Sequence, residues 1–196
     1  GCPVLADGVG APTLPDGTLG SISHTHGLAA AIVCVEPDAE LSSTGGITEV
    51  AALQTGVSPQ RSRAVGIDIE SVDRVLTPRL ASRCLHEAER LTLSKAPSGL
   101  DEQMELLLRV SIKEALYKAL HPLLRPVTIR WHSVQVLPKR DGSCEVVATD
   151  LEEQVGRRMR VAASWRIREG FFVATASAHA LPPGAEVVER EVAAVV

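Results

Sequence analysis

The sequence predicts an α+β fold, on three observations. The stretch "AVGIDIESVD" at 64–73 alternates apolar and acidic residues, as a strand with one buried face does. Residues 101–120, "DEQMELLLRVSIKEALYKAL", repeat apolar positions with the period of a helix. Beyond them, two pairs of strand-like segments flank the turn sequences "KRDG" and "REG".

The elements follow in order. Residues 1–20 are rich in Gly, Pro and Asp and read as loop. "LAAAIVCVE" at 28–36 reads as a buried strand, and the polar, aperiodic stretch 37–63 as a surface insertion. The strand Ala64–Glu70 comes next. Residues 77–96 carry the spacing of two short helices, with Thr77 before Pro78 as the cap of the first. In the long helix, Met104, Leu107, Leu108, Ala115, Leu116 and Ala119 form the apolar stripe. Asp101 and Glu102 suit its N-terminal dipole, and Pro122 is expected to stop it. Residues 127–138 with 143–149, and 158–167 with 171–178, read as hairpins. The charged and apolar tail after Pro183 is expected to be peripheral.

Composition narrows the function classes. A chain of 196 residues with 45% hydrophobic and only 3% aromatic residues builds an aliphatic core, as one domain or two small halves. The net charge of −4 argues against a dedicated nucleic-acid binder. No apolar run reaches the roughly 18–20 residues of a membrane span, and no basic-then-apolar signal sequence opens the chain. The cysteines Cys2, Cys34, Cys84 and Cys144 are scattered without a C-x-x-C pair and read as reduced thiols of a cytoplasmic protein.

Three constellations carry chemistry. The strand period puts Asp68 and Glu70 on one face, roughly 6–7 Å apart at the backbone. Hard oxygen donors at that spacing suit Mg²⁺, with Mn²⁺ as a substitute; an isolated D-x-E is more often a solvated strand edge. Glu114 and Lys118 are four apart on the helix, at the margin of its apolar stripe. They are either a surface ion pair or a third metal carboxylate with a lysine for phosphate charge. "GSISHTHG" at 20–27 sets small hydroxyl residues, His24 and His26 at the entrance of a strand, where they can bond a phosphate. The H-x-H spacing also permits a metal, though no third soft ligand lies near in sequence.

The order "GSISHTHG", "GIDIE", "SIKEALYKA" resembles the three signature segments of the 4′-phosphopantetheinyl transferases. "GAPTLPDGTLGSISH" makes the larger, Sfp-type enzymes the variety resembled, with the enterobactin-synthesis branch nearest. The resemblance runs from about residue 8 to residue 178. It implies two pseudo-symmetric α+β halves: 1–63 as a partial N-terminal half, 64–181 as the half with the metal site, and 182–196 as a tail. The family's first half begins some sixty residues before the "GAP" segment, so the N-terminal half is expected to be truncated. It implies transfer of the 4′-phosphopantetheine arm of coenzyme A to a serine of an apo acyl or peptidyl carrier protein, with release of adenosine 3′,5′-bisphosphate. By motif position, Asp68, Glu70 and Glu114 correspond to the Mg²⁺ ligands, and Glu114 also to the general base. Lys118 and Lys113 correspond to pyrophosphate contacts, Ser23 and His24 to contacts with the 3′-phosphate, and Gly10, Ala11 and Pro12 to the adenine site. Leu85, Leu91 and the 92–103 segment are the expected carrier-docking surface. The alternative is an impaired fragment that still binds carrier protein or coenzyme A. The expected state is a monomer, unless the short front forces association.

Overall fold

The computed structural model describes residues 5–6, 11–35, 62–124, 128–149, 151 and 158–181. Gly10, nearly all of the expected insertion 37–63 and the tail 182–196 lie outside the described residues. In chain order the strands are β1 (Leu5–Ala6), β2 (Pro12–Thr13), β3 (Thr18–Thr25), β4 (Leu28–Val35), β5 (Arg63–Ser71), β6 (Val134–Pro138), β7 (Ser143–Ala148), β8 (Met159–Arg168) and β9 (Phe171–Ala180). The helices are α1 (Pro78–Cys84), α2 (Glu87–Leu91) and α3 (Glu102–Leu124). The fold is mixed α+β with antiparallel sheets, as the sequence predicts.

Five strands form one sheet in the order β5–β9–β8–β7–β6, every pair antiparallel. Both expected hairpins are in it, β6–β7 and β8–β9. Alternation along β9 turns Phe172, Ala174, Ala176, Ala178 and Ala180 inward, and α3 lies across them. Four of those five are alanines, so the helix comes close. It comes closest at Gly66, where a Cβ would stand 1.9 Å from the Ala115 carbonyl oxygen. Only glycine fits there.

A separate two-stranded sheet, β3–β4, lies against β5. Here the sequence reading fell short. Thr18–Thr25 is a strand although its apolar residues do not alternate in a recognisable way. Its inward positions are Leu19, Ser21 and Ser23, and the serines are buried because they bond to β5. The Ile67 N–H donates to Ser21 Oγ at 3.2 Å, so a side chain serves an edge of β5 that no strand pairs among the described residues. β4 differs from expectation in the other direction. It is a strand, but not a buried one: Val33 is 62% and Val35 77% exposed.

The helices show two further departures. Thr77 sits at the N-cap of α1 but makes no side-chain capping bond. α3 does not stop before Pro122 but runs through it to Leu124. An interior proline costs a helix about 3 kcal/mol. Leu123 and Leu124 are 1% and 2% exposed, and each buried leucine stabilises by about 1.5–3 kcal/mol, so packing holds the last turn. At the other end Asp101 caps α3, accepting the Met104 N–H at 2.8 Å.

α3 is also buried more completely than an amphipathic stripe predicts: every residue from Glu105 to Lys113 is buried. Its polar groups are largely satisfied internally, although among the described residues the buried Arg109 Nη2 has an ion-pair partner and no hydrogen bond. Arg109 pairs with Glu105 at 2.8 Å and Lys113 with Glu89 of α2 at 2.6 Å. The Arg109 Nη1 donates to the Glu89 carbonyl and to Thr92 Oγ1, and Glu89 Oε1 accepts the Val136 N–H. This network ties α2, α3 and β6 together.

Candidate active site

The site forms where the middle of β5 meets α3. The close approach at Gly66 carries Asp68, two residues on, against the helix. Asp68 is buried, and its carboxylate accepts three bonds. Ser23 of β3 donates to Oδ1 at 2.9 Å, Lys118 of α3 to Oδ1 at 2.9 Å, and Ser111 of α3 to Oδ2 at 2.8 Å. A carboxylate has about four lone-pair positions. Among the described residues, one on Oδ2 is left for a ligand. Lys118 is held a second time, by the Ile67 carbonyl at 3.0 Å, which leaves one of its three N–H bonds for an incoming anion.

Glu70 is ion-paired with Arg74. Glu114, one helical turn before Lys118, is half-buried. Burial pushes its carboxyl up, and the charges of Asp68 and Glu70 push the same way, while Lys118 and Arg74 pull it down. All three expected carboxylates therefore stand in one electrostatic neighbourhood. With every group ionised they outnumber their two cations, Lys118 and Arg74, by one negative charge.

The arrangement is not a ready-made ligand shell. Among the described residues no three His, Cys, Asp or Glu side chains already stand together as a metal would require. Asp68 and Glu70 face the chain's own cations and hydroxyls. The donor set still fits Mg²⁺ in kind: oxygen carboxylates, an excess negative charge and one open position on Asp68. Mg²⁺ needs only one or two carboxylates, with water and substrate phosphates for the rest.

Several expected contacts fall elsewhere. Lys113 is not at the site. Its ammonium is 3% exposed at the side chain and donates to the Cys84 carbonyl, Glu89 Oε2 and the Trp131 carbonyl, which uses all three protons. Burial pushes its pKa down, against the pull of Glu89. It cannot hold a pyrophosphate as placed. Ser23 spends its only proton on Asp68 and has none to give a 3′-phosphate. His24, next along β3, faces the other way and is exposed. His26 lies in the turn after β3, so the two rings do not share a strand face. Ala11 and Pro12 are half-buried, with Pro12 paired to Ala6; Gly10 lies outside the described residues. Of the expected docking surface, Leu85 is core at 1% exposure, whereas Leu91 is 71% exposed.

Sequence reasoning missed Ser111 and Arg74. Ser111 had a signal: it precedes Glu114 by three residues on a helix, so the two share a face. Arg74 had none, because it follows Glu70 across the turn after β5, where helical spacing does not apply. The cysteines Cys34, Cys84 and Cys144 are free thiols. Burial pushes Cys144 up to about 12 and makes it a poor nucleophile.

Comparison with known proteins bears on this site. Residues 64–175, more than half of the chain, match the family model of the 4′-phosphopantetheinyl transferase superfamily. Residues 1–34 match that of the 4′-phosphopantetheinyl transferase N-terminal domain. A search of curated proteins found no match. Among solved structures, the ACPS–CoA complex of Chronobacterium ammoniagenes is 19% identical with a TM-score of 0.45, over 62% of this chain and 100% of that one. A holo-(acyl-carrier-protein) synthase from Bacillus anthracis, in complex with CoA (3′,5′-ADP), is 21% identical with a TM-score of 0.44, over 59% and 94%. The acyl carrier protein synthase of Mycobacterium tuberculosis is 20% identical with a TM-score of 0.43, over 60% and 96%. Among the described residues, no helix is long and apolar enough to cross a membrane.

Proposed function

The chain belongs to the 4′-phosphopantetheinyl transferase superfamily, and from that premise we propose that it moves the 4′-phosphopantetheine arm of coenzyme A onto a serine of an apo acyl or peptidyl carrier protein, as an enzyme of the Sfp-type branch. The observation that carries the reading is the meeting of Asp68, Glu70, Glu114 and Lys118 within the family-matched residues.

Asp68, Glu70 and Glu114 hold Mg²⁺ in this reading. When bound, the ion neutralises pyrophosphate charge and steadies the charge that builds on the leaving group. The chain's own residues do the rest. The carrier serine is a weak nucleophile near neutral pH and needs a base within hydrogen-bond reach. Glu114 takes its proton, directly or through one water. The serine oxygen bonds to the phosphorus that carries the pantetheine arm. The bond from that phosphorus to the adenosine-side phosphate breaks, and adenosine 3′,5′-bisphosphate leaves. Lys118, held on Asp68 and the Ile67 carbonyl, points its remaining N–H at the leaving phosphate. Ser23 and Ser111 hold the Asp68 carboxylate in place. His24 is the exposed contact for the 3′-phosphate.

Incubation with coenzyme A, Mg²⁺ and a panel of apo carrier proteins tests the reading by intact-mass measurement. The expected result is a gain of one phosphopantetheine on at least one carrier, with one equivalent of adenosine 3′,5′-bisphosphate. No gain on any carrier, where a control transferase modifies all of them, defeats it.

A further inference from the structure

Two cations face the three carboxylates, and they are held differently. Lys118 is 28% exposed at the side chain and anchored twice, on Asp68 Oδ1 and on the Ile67 carbonyl. Arg74 is 53% exposed, and among the described residues Glu70 is the only acceptor of its guanidinium. It projects from the turn after β5, where its own N–H is bonded to the Ser71 carbonyl. That bond fixes the backbone and leaves the long side chain free to swing. Glu70, by contrast, is 13% exposed and has little room to move.

The charges favour an exchange between these partners. With Arg74 and Lys118 in place, the three carboxylates leave the site at one net negative charge. A divalent cation added to that set makes it positive by one. If Arg74 departs as the ion arrives, three negative charges meet one lysine and one divalent ion, and the sum is zero. The exchange removes an arginine that is already half in water, so it costs little desolvation. Loss of Lys118 would instead strand the buried Asp68.

We propose that Arg74 is a built-in counter-cation of the metal site: it neutralises Glu70 in the metal-free protein, and a divalent ion must displace it to use that carboxylate. The proposal rests on the metal reading given above. It makes Arg74 a positioning residue that sets the affinity of the site, and so the ion concentration at which the site fills. The hydrogen bond and charge of Glu70, with smaller contributions from Asp68 and Glu114, hold the Arg74 proton more tightly than usual.

Titration of the metal-free protein with Mn²⁺, followed by the electron paramagnetic signal of the free ion, tests this without turnover. An exposed ion pair that must be broken weakens binding by about two- to fivefold. Arg74→Gln is therefore expected to bind Mn²⁺ tighter by that factor, and Arg74→Lys to bind like the parent. Glu70→Gln is expected to weaken binding, and in its background Arg74→Gln is expected to have clearly less effect than in the parent. Unchanged or weaker binding by Arg74→Gln overturns the proposal. So does tightening that persists at full size in Glu70→Gln, since the arginine would then act through the general field. If no form binds Mn²⁺ at millimolar concentration, the metal reading falls and this proposal with it. Carrier modification without added metal would then show whether the transfer reading survives.

Discussion

α3 carries two clusters of charge, and they differ in one respect that separates structure from chemistry. Toward its N-terminal end, Glu89 and Glu105 meet Arg109 and Lys113: two acids and two bases, all buried. One turn further on, Asp68, Glu70 and Glu114 meet only Lys118 and Arg74, and the last two reach solvent. The first set is balanced and closed. The second is one positive charge short and open. A balanced buried network ties elements together, whereas an unbalanced one stays poised for something that arrives from outside.

The sharpest way to break this contrast is to unbalance the closed cluster. Lys113→Met leaves Glu89 buried without its partner and is expected to cost about 3–5 kcal/mol of stability, read as a lower urea midpoint. A double variant, Lys113→Met with Glu89→Gln, is expected to recover part of that loss. If Lys113→Met is as stable as the parent, the cluster is not the structural tie described here.

The second test works on the open cluster. Asp68→Asn keeps the size of the side chain but removes the charge that holds Lys118 and invites a cation. Carrier modification is expected to fall by about 10²–10³-fold, the scale seen when one group of a preorganised charged site is lost. The chemical-denaturation midpoint is expected to move less than for Lys113→Met. Equal activity in the two proteins would erase the distinction between the clusters.

The smallest effect is a pH dependence with opposite sign in the two clusters. Glu114 is raised in the metal-free fold, so between its ordinary value of 4.5 and the raised one the native state binds more protons than the unfolded state. Stability therefore falls as pH rises through that window, and Glu114→Gln is expected to remove the slope. Lys113 is lowered, so the native state binds fewer protons between the lowered value and 10.5. Stability rises with pH there, and the slope is lost in Lys113→Met. Urea midpoints measured across both windows check the two signs.

The open cluster was largely legible in the sequence because its spacing obeys two simple periods. Asp68 and Glu70 share a face at a separation of two, and Glu114 and Lys118 at four. The closed cluster was not legible, because its members come from α2 and from two turns of α3, and only packing brings them together. Lys113 shows the error in miniature. It is five residues before Lys118, about 140° away around a helix, so the two do not face the same way. Placing both at the pyrophosphate ignored that rotation. β3 escaped notice for a related reason: serines at inward positions do not look like core until their acceptor on β5 is known.

Gly66 has a consequence for how this site tolerates change. Its missing side chain, with the alanines of β9 beside it, sets the distance between β5 and α3, and that distance fixes where Asp68 stands relative to Ser111, Glu114 and Lys118. None of these small residues carries a polar side chain, yet enlarging any one of them would prise the donors apart. The floor of the site is thus as intolerant of drift as its ligating groups, and a single added methyl at residue 66 would register first as lost affinity for what the site holds.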